Sequence, residues 1–193
     1  MCHSNVLPAF RKRKREDTRK KPKGAIMTTT TATISQTEQV TRIEITHPRQ
    51  RQVFVPRLFS TPFGEQLVQS FLDRHSNYDG GMWQFWEVPR GISGHVGPYT
   101  DIITTRPTGY MTPPEGTYQL SIPGSYFDEE VSADAAGIIA TLFVLNQLCW
   151  KTYEMGAEYA QTCQNLADRQ DALKDYVSII GHPERSKIFR AID

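Results

Sequence analysis

The sequence predicts an α+β fold, with a small antiparallel sheet packed with about four helices around a central buried helix. Three observations predict it. The stretch Val131 to Leu148, reading VSADAAGIIATLFVLNQL, is apolar at almost every position past Ala135, so no single stripe faces the interior and the whole cylinder needs cover. Tyr118, Leu120 and Ile122 alternate with Thr117, Gln119 and Ser121, the period of a half-buried strand. Phe63, Leu67 and Phe71, and later Tyr159, Cys163, Leu166, Leu173, Val177 and Ile180, recur at three- and four-residue spacing, as on amphipathic helices.

A chain of 193 residues, 38% hydrophobic and 22% charged, suits one ordinary globular domain with a sizeable core. The formal net charge of +1 hides an asymmetry. Residues 1–26 hold nine Lys/Arg and two Asp/Glu, a net +7, whereas residues 27–193 hold thirteen basic and nineteen acidic groups, a net −6. Three cysteines (Cys2, Cys149, Cys163) make no even disulfide framework, so a reduced, cytoplasmic compartment is expected. Residues 1–26 lack the long apolar run of a secretory signal.

Residues 1–52 are expected to be poorly ordered. The block Arg11 to Lys23 is dense in like charge with nothing apolar to bury, and such blocks normally stay solvated. Two readings of it stand. It is an arm that grips nucleic acid or mimics a nuclear address, or it is upstream sequence, with the true start at Met27 before the Thr-rich run MTTTTATIS. Val40 to Thr46 leans towards strand, with Ile43 and Ile45 on one face, and Pro48 stops it.

Val53 to Phe59 reads as a short apolar lead-in, and Pro62 suits the first turn of a helix running to about Arg74. Ser76 to Gly81 is turn chemistry, with glycines free to take positive φ. Met82 to Val88 follows as a strand whose faces are Trp83/Phe85 and Met82/Trp86/Val88. Large apolar groups on both faces mean either a strand covered on both sides or an aromatic contact patch. Pro89 to Thr108 is rich in Gly, Pro and Thr, with a short strand at Asp101 to Thr105. Pro123-Gly124 turns the strand at 117–122, and Tyr126 to Glu130 forms an acidic approach to the central helix. Ser132 caps that helix, and Asp134 puts a carboxylate in its first turn, where the free N–H groups and the dipole favour one. Cys149 to Gly156 should make a turn or a helix break. Gly181 sits where a C-terminal cap belongs after the next helix, and Pro183 opens a last one at Glu184 to Ala191. A membrane span is not expected: the apolar run is shorter than the roughly 20 residues required and contains Thr141, Asn146 and Gln147.

Four blocks, in one order, resemble the ArdB/KlcA antirestriction family. They are Phe54 to Phe59 (FVPRLF), Tyr78 to Phe85 (YDGGMWQF), Val131 to Ile138 (VSADAAGI), and the C-terminal stretch from Asp175-Tyr176 through His182-Pro183-Glu184 to Ile188–Asp193 (IFRAID). The similarity spans about residues 53–193, so a single domain is expected there. Set against the family, 89–108 looks like an insertion. The resemblance implies a protein of a mobile genetic element, carried on a plasmid or moved by conjugation, that evades host defence by inhibiting type I restriction-modification enzymes. It implies contact with another protein, direct or indirect, and no catalysis.

The residues themselves offer no catalytic, cofactor-binding or metal-binding site. The five histidines (His3, His47, His75, His95, His182) have no partner at ligand spacing, and phosphate loops, dinucleotide glycine patterns and nucleophile elbows are all missing. Cys163 falls on the apolar seam of its helix and reads as a buried structural thiol. His182 reads as structural, at a helix end. DNA mimicry is excluded on charge. Duplex DNA carries about one charge per 1.7 Å, and a net −6 over residues 27–193 falls far short. A net negative domain also lacks the basic face that nucleic-acid binding needs, which leaves Arg11 to Lys23 as the basis of the alternative reading, a nucleic-acid-binding accessory protein. The expected protein contacts are Trp83 or Trp86, the acidic Asp128, Glu129 and Glu130, and the terminal Arg190 and Asp193. Against this stand structural roles for each, including a mutual Arg190–Asp193 pair.

Overall fold

The computed structural model describes residues 41–95 and 101–193. The expectations for residues 1–40, the basic block among them, lie outside the described residues. The described chain begins with β1 (Ile43–Glu44), α1 (Pro48–Phe59) and α2 (Gly64–His75). Five strands follow: β2 (Gln84–Val88), β3 (Ser93–His95), β4 (Asp101–Ile103), β5 (Thr108–Thr112) and β6 (Thr117–Ile122). A turn of 3₁₀ helix leads to β7 (Phe127–Ser132), and then come α3 (Ala133–Glu154), α4 (Ala160–Ile179) and α5 (Arg185–Ile192).

This is the α+β arrangement expected, with four helices about a buried fifth. The Ala135–Leu145 part of α3 is buried at every position but Phe143, which is half-buried and stacks on Phe71 at 4.8 Å. Elements α1, α2, α4 and α5 and strands β5, β6 and β7 all pack against it. At 22 residues α3 is long and apolar enough to cross a bilayer, yet its most apolar part lies inside the fold. Gly137 is where α3 meets β5: a Cβ there would fall 2.1 Å from the Met111 carbonyl oxygen, so only glycine permits this approach.

Among the described residues the antiparallel pairing is divided among three small sheets, of order β1-β2-β5, β3-β4 and β6-β7. Strand β6 shows the alternation read from its sequence, with Tyr118, Leu120 and Ile122 buried and the residues between them exposed. Helices α2, α4 and α5 fall within a residue or two of their expected positions.

Some expectations need correction. Residues 41–52, expected to be poorly ordered, hold β1 and the first part of α1. Pro48 does not stop a segment; it starts one, because a proline at the first helical position gives up an N–H that has no partner there anyway. The lead-in at 53–59 is therefore the second half of α1. Ile45 is in the core and Ile43 is half exposed. The acidic approach at 126–130 is strand β7, paired with β6 from Ile122↔Phe127 to Thr117↔Ser132. Phe127 and Val131 are buried and anchor it, and the acidic residues between them ride on the hairpin. The turn expected within Cys149 to Gly156 falls at the end of that segment. No Gly or Pro interrupts 149–154, the ladder runs to Glu154, and Gly156 with φ 117° makes the turn.

Candidate functional site

The first turn of α3 is the floor of an open cavity of about 530 Å³, lined by Thr41, Arg42, Ser132, Asp134, Tyr176, Ile180, His182, Pro183 and Glu184. Ser132 is the N-cap, its Oγ accepting from the Ala135 N–H at 3.2 Å. That hydroxyl donates in turn to the Glu184 carboxylate, which also accepts the Ser132 N–H at 3.1 Å. One carboxylate thus ties the start of α3 to the start of α5.

Asp134 is engaged at both oxygens. Its Oδ1 accepts from Arg42 Nη1 at 2.6 Å and from the Tyr110 hydroxyl at 3.0 Å, and its Oδ2 lies 3.2 Å from His182 Nε2. Arg42 also donates to the Tyr110 oxygen, and its guanidinium lies over the Trp86 ring, 4.2 Å from the centroid. Tyr176 also lines the cavity, its ring centroid 6.1 Å from that of Tyr110.

His182 reaches this cluster because of how α4 ends. Gly181 takes φ 57°, its N–H bonds to the Ser178 carbonyl at 3.2 Å, and the His182 N–H bonds to the Val177 carbonyl at 3.1 Å. These are the paired bonds of a Schellman cap, which turns the chain back on the helix and carries the imidazole inward. Its Nδ1 accepts the Glu184 N–H at 3.0 Å, so Nε2 carries the proton and donates to Asp134.

The electrostatics follow from this packing. Burial works to raise the Asp134 pKa, but the His182 hydrogen bond, the Arg42 charge and the Tyr110 bond outweigh it, so the carboxyl titrates below its ordinary range. Burial works to weaken the hold of Arg42 on its proton, and Tyr110 and Asp134 reverse that too. Burial, reinforced by the Asp134 charge, keeps Tyr110 protonated well past its ordinary range. The result is an ionised Asp134–Arg42 pair inside a cage of neutral donors. Both Asp134 oxygens and both His182 ring nitrogens are engaged by other groups of the protein. Among the described residues no group of three or more His, Cys, Asp or Glu is placed to hold a metal.

The residues expected to make contacts are scattered. Trp83 is buried, stacked edge-on with Tyr78 at 5.4 Å and donating Nε1–H to its hydroxyl at 2.6 Å, so it offers no outer surface. Trp86 is half-buried under Arg42, with its Nε1–H on Thr112 Oγ1 at 3.2 Å. Strand β2 begins at Gln84, two residues later than expected; Phe85 and Val88 are buried, and Met82 ahead of it is 80% exposed. Asp128 and Glu130 are exposed on β7, and Glu129 between them pairs with Arg190 of α5. The suggested Arg190–Asp193 pair gives way to this one, with Arg190 also over the Phe127 ring at 5.4 Å. Asp193 is exposed at the end of α5. Arg42, Tyr110, Tyr176, His182 and Glu184 were not among the expected site residues. What could have flagged Tyr176, His182 and Glu184 is that they lie, like Asp134, in blocks that carry the family resemblance; Arg42 and Tyr110 lie outside those blocks.

Comparison with known proteins agrees with the resemblance. Residues 76–193 match the family model described as "Antirestriction protein". The antirestriction protein KlcA of Escherichia coli is 36% identical over 145 residues, covering 72% of this chain and 82% of its own. The putative antirestriction protein YubI of E. coli K12 is 31% identical over 146 residues, covering 74% of this chain and 89% of its own. A solved structure superposes with a TM-score of 0.56 at 30% identity, covering 79% of this chain and 95% of its own. It comes from work on KlcA and ArdB describing a novel fold and antirestriction activity against type I DNA restriction systems in vivo but not in vitro. The family model covers more than half of the sequence and the relatives span most of their own length, so this chain belongs to the ArdB/KlcA antirestriction family.

Proposed function

We propose that this protein protects unmodified incoming DNA by inhibiting host type I restriction-modification enzymes, acting in the cytoplasm through protein contact and without a reaction of its own. The cleft at the start of α3 is the contacting surface, with Asp128 and Glu130 on the neighbouring hairpin as further contacts. The observation that carries this reading is convergence. Segments 131–138, 175–176 and 182–184, far apart in the chain and each part of the resemblance, meet around one open cavity. The charged groups there are held by one another, the build of a rigid recognition surface more than of a proton-transfer site.

Charge supports the same reading. A net −6 over residues 27–193, interspersed with thirteen cations, is far from the charge density of a DNA imitator. The activity described for the solved relatives, seen in cells and not with isolated components, fits an indirect route to the enzyme as well as a direct one.

The test is plating efficiency of unmodified phage on hosts carrying type I enzymes of different families, with and without the chain. Protection against at least one of them is expected, and protection against none would remove the reading. Deleting residues 1–26 separates the nucleic-acid alternative: if protection and salt-dependent DNA retention are lost together, the basic arm is the active part.

A further inference from the structure

Two thiols face each other where α3 hands over to α4. Cys149 Sγ and Cys163 Sγ are 3.1 Å apart, and each sulfur also lies 3.5 Å from the backbone carbonyl of the other residue. Both are free and half-buried. Their surroundings differ. Cys163 lines an open cavity of about 610 Å³ formed with Tyr153, Glu154, Gly156, Ala157 and Gln164, and Cys149 does not. We propose that Cys163 and Cys149 form a peroxide-responsive thiol pair, in which Cys163 is oxidised from the cavity and Cys149 resolves it to a disulfide that staples α3 to α4.

The chemistry balances with hydrogen peroxide as oxidant. The Cys163 thiolate attacks one peroxide oxygen, the O–O bond breaks, and the departing oxygen leaves as water, giving a sulfenic acid on Cys163. Cys149 sulfur then attacks Cys163 sulfur. The S–S bond forms, the S–O bond breaks, and the hydroxide leaves as water with the Cys149 proton. Each sulfur gives up one electron, and the peroxide is reduced to two waters.

The division of roles rests on the cavity, and the acidity of Cys149 agrees with it. Burial, with the hydrogen bond to Cys163, pushes the Cys149 thiol up to about 11, so it stays protonated and is the poorer first nucleophile. Bond formation requires the sulfurs to close from 3.1 Å to about 2.05 Å. The shift is roughly 1 Å, within reach of side-chain rotation and a small helix adjustment. A disulfide of this kind in a reducing compartment would be transient and responsive to oxidant.

The experiment uses the full chain with Cys2→Ser, so that only this pair can react. Treatment with hydrogen peroxide should lower the intact mass by about 2 Da, remove both thiols from alkylation, and give one cross-linked peptide pair that dithiothreitol separates. In Cys149→Ser, Cys163 should accumulate a dimedone-reactive sulfenic acid, at least about tenfold more than Cys149 does in Cys163→Ser. Circular dichroism confirms that each variant is folded. Two thiols that still alkylate after peroxide, or a stable mono-oxidised Cys163 with no cross-link, would overturn the pair. Reversed dimedone labelling would overturn the assigned roles.

Discussion

Asp134, in the first turn of α3, and His182, just past the cap of α4, meet at 3.2 Å and fasten the start of one helix to the end of the other. The carboxylate side chain keeps 30% of its surface exposed and the imidazole 5%. The contact is therefore the inner edge of the cleft, and the Arg42 side of Asp134 is the part open to solvent.

Acid should loosen this junction. The Asp134 pKa is lower in the fold than its ordinary 3.8, so the folded state binds its proton less readily than the unfolded chain does. The stability this contributes is fully present above the ordinary value and is lost as pH falls through the depressed one. Urea denaturation from pH 6 down to the acid limit should show a decline below about pH 4 that Asp134→Asn flattens. An identical acid decline in that variant would mean other carboxylates carry it.

Removing the Asp134 carboxylate altogether should be costly at neutral pH. Asp134→Ala leaves Arg42 and His182 without their shared partner. Breaking a fully buried pair costs about 3–5 kcal/mol, and the partial exposure here brings the expected loss to roughly 2 kcal/mol. Arg190→Ala, which breaks an exposed pair with Glu129, should cost less than about 1 kcal/mol. Equal losses in the two variants by chemical denaturation would contradict the ranking.

Gly137→Ala should be among the most damaging small changes in the chain. The new methyl would lie 2.1 Å from the Met111 carbonyl oxygen, and β5 would have to move away from α3. A loss of about 3 kcal/mol is expected. Gly124→Ala, where an added Cβ meets nothing within 4 Å, is the control and should change the melting temperature little. Similar melting curves for the two would show that the α3–β5 approach is looser than described.

Arg42→Ala should uncover Trp86. The guanidinium over its ring and the Asp134 pair both go, so Trp86 fluorescence should shift to the red in a Trp150→Phe background that removes the exposed tryptophan. Trp83, buried against Tyr78, should report no change.

Where local chemistry decides structure, the sequence was a good guide. Ser132 and Asp134 mark the start of α3, Gly181 and Pro183 mark the passage from α4 to α5, and Tyr118-Leu120-Ile122 mark β6. Strand β7 was hidden because Asp128, Glu129 and Glu130 are poor strand formers, and it holds through pairing with β6 and the burial of Phe127 and Val131. Strand β5 was missed for the opposite reason: it is buried on both faces and shows no alternation. The cleft is invisible to any local pattern, since Arg42, Tyr110, Asp134 and His182 come from four distant segments. Besides the blocks that carry the resemblance, the Schellman cap, which aims His182 back towards the core, is the local feature that hints at it.

The most direct test of the cleft as the working surface is the plating efficiency of unmodified phage on a type I host expressing either the native chain or Glu184→Gln. Glutamine can still accept the Ser132 hydrogen bonds but removes a charge from the cavity wall. The variant should be folded, as its melting curve verifies, and its protection should fall by at least about tenfold. Full protection by the folded variant, alongside protection by the native chain, would contradict that role for the cleft.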